Sequence, residues 1–167
     1  MKNAVFTLIL AVALLCGAGS KTSTAQETPA LDLHMQCTQT KREDGDGERL
    51  IFADQGRIKL DGDKVQELQW ESSLFRADHG FECSIDKDDQ PQLEVTEKGW
   101  RITLKDAVAA RAQRGYDFDR SYQCSIRLER EGEMIHLRPF CPALCGSRIN
   151  FTELKVNVIN GKCEYVD

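Results

Sequence analysis

Long hydrophobic stretches are nearly missing from this chain of 167 residues. The one apolar run, Ala4 to Leu15, covers 12 residues, whereas crossing a hydrocarbon core takes about 20. No transmembrane segment is expected. Histidine is scarce, so His34, His79 and His136 are the whole supply of side chains that ordinarily titrate near neutrality. None sits in a His-Glu-x-x-His, and no Gly-x-Ser-x-Gly or Cys-x-x-Cys occurs. Metalloprotease, hydrolase and thioredoxin-type chemistry therefore have no motif to rest on, and an enzyme is not expected. Basic residues are the minority, with Lys+Arg 22 against Asp+Glu 27. They form no concentrated stripe, which argues against nucleic acid as a partner.

What is present begins with Lys2, the apolar run and the small residues Gly17, Ala18, Gly19 and Ser20, the layout of a secretory signal. Cleavage fits the small-x-small rule after Ser20 or after Ala25. Residues 1–25 then read as the signal peptide, 26–30 as a flexible leader, and 31–167 as a single domain large enough for one hydrophobic core. Cys16 follows the apolar run, but Leu15 stands where a lipoprotein signal wants Gly or Ala. Lipid attachment at Cys16 is thus the weaker alternative. Losing residues 1–25 removes Lys2 and Lys21 and no acid, which leaves 20 basic against 27 acidic side chains and a net charge near −7. Such a surface suits solubility or a basic partner.

Six cysteines remain: Cys37, Cys83, Cys124, Cys141, Cys145 and Cys163. An even number in a short exported chain points to structural disulfides formed in a periplasm or outside the cell. Cys37, Cys83, Cys124 and Cys163 fall where an apolar residue belongs on a strand, so they should point inward and pair between strands. Cys141 and Cys145 share a loop with Pro142, and at least one of them is expected to reach Cys163. The loop Cys141, Pro142, Ala143, Leu144, Cys145 and Gly146 is the candidate binding loop. His136, Cys141 and Cys145 carry soft donor atoms and are weak metal candidates. Exported cysteines usually oxidise, however, and no cofactor is expected.

The remaining pattern alternates with period 2. Leu31, Leu33, Met35 and Cys37 share one face of a half-buried strand, and similar alternation recurs at Phe81 to Ile85, Trp100 to Leu104 and Cys124 to Leu128. Leu50 to Ala53, Arg57 to Leu60 and Val65 to Trp70 read as short strands separated by Gly56 and by Asp61-Gly62. Ile149 to Ile159 reads as one strand or two, before an Asn160-Gly161 turn. Only 105–114, alanine-rich and stopped by Gly115, predicts a short helix. The fold class is therefore mostly β: a small antiparallel barrel or sandwich stapled by disulfides.

Acidic clusters at Asp44 to Glu48, Asp86 to Asp89 and Asp117 to Asp119 could hold Ca²⁺ weakly. The first fails as an EF-hand, because Arg49 stands at the sixth position and Gln55 at the twelfth. Turn chemistry explains the others as well. His79, in a loop-like Arg-Ala-Asp-His-Gly, is the most interesting histidine; an exposed position is the default for all three. Asn150-Phe151-Thr152 matches a glycosylation sequon. The reading that results is an exported, disulfide-stabilised, β-rich protein that binds or inhibits a basic secreted enzyme, with a periplasmic metal-binding or structural envelope protein as the alternative. Fold-level analogy extends to exported inhibitors of lysozyme, but the Ser-Gly-x-x-Tyr of the c-type lysozyme inhibitors is absent, so no site residue carries over.

Overall fold

The computed structural model describes residues 30–42, 47–105, 107, 124–140, 144–145 and 150–166. The expected signal peptide, and the expected helix at 105–114 apart from Lys105 and Ala107, lie outside these residues.

Among the described residues ten strands follow in order: β1 (Leu31–Arg42), β2 (Arg49–Asp61), β3 (Lys64–Phe75), β4 (Gly80–Asp86), β5 (Pro91–Thr96), β6 (Gly99–Leu104), β7 (Cys124–Glu131), β8 (Met134–Phe140), β9 (Leu154–Asn157) and β10 (Cys163–Tyr165). They build two antiparallel sheets, one ordered β1-β2-β3-β4 and the other β10-β9-β8-β7-β6-β5. The expected mostly-β, antiparallel fold holds, as two sheets over one core rather than a closed barrel. Each sheet turns its apolar alternate residues inward, as the period-2 pattern requires. Leu33, Ile58, Leu60, Trp70 and Ile85 from the first sheet meet Trp100, Ile102, Ile126, Leu128, Ile135 and Leu137 from the second, all fully buried in one cluster. Burying each such side chain contributes about 1.5–3 kcal/mol against the ordering entropy.

Two disulfides with both ends among the described residues brace the core. Cys37 on β1 bonds Cys163 on β10, with Cα atoms 5.5 Å apart, and so ties the first edge of one sheet to the last strand of the other. Cys83 on β4 bonds Cys145 at a Cα separation of 5.8 Å. Cys163 is thus taken by Cys37 and not by Cys141 or Cys145, contrary to the expectation above. The reason is positional: the β10 edge lies against β1, where Cys37 points inward, whereas Cys145 lies beside β4. Cys124 is also disulfide-bonded.

Gly56 does not separate two strands. β2 runs unbroken through it, with Gly56 opposite Met35 on β1 and Trp70 on β3. A Cβ there would sit 2.1 Å from the Gln69 carbonyl oxygen, so a glycine lets two central strands approach where a side chain would push them apart. The stretch Ile149 to Ile159 likewise differs: within its described part only Leu154–Asn157 is strand, and Phe151 adopts a φ of 55°. A 3-10 turn, Lys87–Asp89, links β4 to β5.

Candidate functional site

β2 places Asp54 on its inward face, beside the Cys37–Cys163 staple. The carboxylate is 2% exposed and accepts Trp70 Nε1–H at 2.8 Å and the Tyr165 hydroxyl at 2.9 Å. Ser72 also donates to it. The Ser72 hydroxyl in turn accepts Phe151 N–H at 3.0 Å, and the Ser72 carbonyl accepts Asn150 Nδ2 at 2.9 Å. Burial pushes the Asp54 carboxyl above its ordinary value, although Trp70, Ser72 and Tyr165 pull it down. Burial, and then the Asp54 charge, hold the Tyr165 hydroxyl in its protonated, donating form. This network joins both sheets to the segment before β9. The Asp54 carboxylate and its three donors satisfy one another, so the chemistry of this centre is that of a latch. Nothing in the FADQG context of Asp54 marked it, because a chain break was expected at Gly56.

The sequence-predicted residues scatter. Leu144 is buried in the core, and half-buried Cys145 is held to Cys83; Cys141, Pro142, Ala143 and Gly146 of the candidate loop lie outside the described residues. The Cys83 bond removes Cys145 from the weak metal set, since a disulfide sulfur is not a thiolate ligand. His136 is not exposed. It is 5% exposed on the outward face of β8, with Nε2 2.8 Å from Glu153 Oε1, an oxygen that Arg138 also contacts. His79 is exposed, bonded to the Asp78 carboxylate and edge-on to the Phe81 ring. His34 is exposed beside Asp32.

The described acidic turns are occupied by capping, and Asp117 to Asp119 lies outside the described residues. Asp86 accepts Asp88 N–H, and buried Asp89 accepts Asp86 N–H, a reciprocal cap on the 3-10 turn. Glu48, the one described acid of the Asp44 to Glu48 run, accepts Ala77 N–H at 2.8 Å and pairs with Arg76 at 2.9 Å, and these bonds lower its pKa in that order. Asn150 of the sequon is buried, its Nδ2 on the Ser72 carbonyl. Among the described residues, no three His, Cys, Asp or Glu side chains gather as a metal cage, and no helix is long and apolar enough to cross a membrane.

The two outward sheet faces differ in charge. On the second sheet, register sets Arg101, Arg127 and Arg138 side by side across β6, β7 and β8. Like charges in that position repel, and Glu94, Glu129 and Glu153 interleave to offset them. Arg127 also lies over the Phe140 ring at 5.3 Å. On the first sheet, β3 and β4 turn Glu67, Glu71, Glu82 and Asp86 outward. No Lys or Arg occurs from Val65 to Phe75 or from Gly80 to Asp86. Glu71 is held by the neutral amides of Gln55 and Gln69, while on the neighbouring β2 Arg57 is shared between Asp32 and Glu67, and Lys59 stands opposite Glu67. This acidic face is the candidate functional surface. Known protein families, curated proteins and solved structures give no match to the chain. The surface must therefore be read from its own chemistry. Sequence reasoning recognised the excess of acid but not its placement, which depends on strand register.

Proposed function

We propose that this is an exported, non-enzymatic binding domain that takes a basic protein, such as a basic secreted enzyme, on the outward face of β3 and β4. The observation that carries the reading is the run of Glu67, Glu71, Glu82 and Asp86 without an intervening cation on those strands. A fixed negative field of this kind speeds encounter with a positive partner and weakens as salt screens it. Strands braced by Cys83–Cys145 present the carboxylates with little freedom left to lose on binding. Disulfide bonding supports an oxidising compartment, in keeping with the signal-like N-terminus.

Calorimetric titration against a panel of basic secreted enzymes that includes lysozyme tests this reading. At low salt the protein should bind at least one of them saturably. Binding should weaken at least about tenfold on raising salt from 50 to about 500 mM, and again in a Glu71→Lys/Glu82→Lys variant with unchanged circular dichroism. Binding that ignores both salt and the charge reversal, or no binding across the panel, overturns the proposal.

A further inference from the structure

The outward face of the first sheet carries a hollow of about 310 Å³ over β1, β2 and β3. Register sets Gln36, Gln55 and Glu71 in one row across these strands. Gln69, two residues before Glu71, shares that face. Met35 and Gly56, which pair across β1 and β2 with the opposite parity, close the floor. Among the described residues that line the hollow, Glu71 alone is charged.

Glu71 is half-buried, and each of its oxygens is held by a neutral amide. Gln55 Nε2 donates to Oε2 at 2.6 Å, and Gln69 Nε2 donates to Oε1 at 3.2 Å. The amides fix the carboxylate in place without neutralising it. An ionised carboxylate has about four acceptor positions, so each oxygen keeps one after these two bonds. The nearest cations are engaged or displaced. Arg57, opposite Gln69, is bound by Asp32 and Glu67, while Lys162 and His34 line an adjoining cleft that shares Gln36.

We infer that this hollow is a guanidinium site, into which the basic partner inserts an arginine side chain that forks onto the two oxygens of Glu71. The partner's part in this rests on the reading of the β3–β4 face as the docking surface. Arginine suits the hollow better than lysine. Its planar fork delivers two parallel N–H groups to one fixed carboxylate and has further donors for the Gln55 and Gln69 carbonyl oxygens, whereas an ammonium brings only a point charge.

The test uses N-acetyl-arginine amide, with N-acetyl-lysine amide as a control of equal charge, read by ¹H–¹⁵N spectra of the assigned protein. The arginine compound should shift the side-chain amide signals of Gln55 and Gln69 saturably, and the lysine compound should bind at least about threefold more weakly. Glu71→Gln should weaken arginine binding about tenfold. Glu82→Gln, on the same face but outside the hollow, should leave it unchanged. Unmoved Gln55 and Gln69 signals at up to about 50 mM arginine compound, equal affinity for the two compounds, or equal effects of the two substitutions overturns the inference. If a basic enzyme binds the face while the arginine compound leaves the hollow untouched, the inference alone falls. If the whole enzyme panel fails while the arginine shifts persist, the docking reading falls and the guanidinium site remains.

Discussion

Tyr165 on β10 donates its hydroxyl to Asp54 on β2 at 2.9 Å, a bond that spans 111 positions of sequence and joins the second sheet to the first. The bond lies beside the Cys37–Cys163 staple, so one covalent and one polar link hold the same corner. Tyr165→Phe should cost about 1 kcal/mol in urea unfolding. Asp54→Ala should cost several times more, because Trp70, Ser72 and Tyr165 would all lose their acceptor. Equal costs for the two variants would mean that the carboxylate does not organise the network.

The pH dependence of Asp54 has a definite sign. Burial raises its carboxyl above the ordinary value of 3.8. The folded chain therefore binds this proton more tightly than the unfolded chain. Its stabilising contribution is fully present below the unfolded value and is lost as pH rises through the folded one. In urea titrations from about pH 8 down to about pH 4, the wild type should gain stability relative to Asp54→Asn. A relative loss on acidification would mean that the three hydrogen bonds outweigh burial.

The Cys37–Cys163 and Cys83–Cys145 bonds differ in what they restrain. Cys37–Cys163 closes a separation of 126 residues, and Cys83–Cys145 one of 62. Cys37→Ala/Cys163→Ala should cost about 3–5 kcal/mol on the loop-entropy view. A loss of less than about 1 kcal/mol by chemical denaturation would show that the sheets hold this corner without the bond.

Gly99 and Gly132 offer a paired comparison. Both have positive φ, 151° and 63°, but a Cβ on Gly132 meets nothing within 4 Å, whereas one on Gly99 meets the Leu128 carbonyl at 2.2 Å. Gly132→Ala should cost about 1–2 kcal/mol from backbone strain alone. Gly99→Ala should cost clearly more, since β6 and β7 must also separate, and thermal unfolding of both variants reads the difference.

Much of the fold was legible because period-2 alternation is a local signal: Leu31 to Cys37 and Cys124 to Leu128 announce their buried faces outright. Gly56 misled because its meaning is tertiary. It reads locally as a break, and only the approach of β3 makes it a requirement of a continuous strand. The same misreading hid Asp54. His136 was expected to be exposed because alternation predicts which face a residue takes, not what covers that face; Glu153 and Arg138 close over it. The cysteine count predicted staples, but Cys83 with Cys145 could not be read from spacing, since the partner of β4 is fixed by how the chain returns over the core. For the same reason the acidic β3–β4 face emerges only with register.

Central to this account is that the cysteines act as staples of a two-sheet scaffold whose work is binding. Disulfide mapping of the mature protein by non-reducing peptide mass spectrometry, with thiol titration, tests it most directly. Cys37 should be found with Cys163, Cys83 with Cys145, and Cys124 with Cys141, the cysteine left for it, with no titratable thiol in the native state. A Cys141–Cys145 pair, or two or more free thiols, would contradict it.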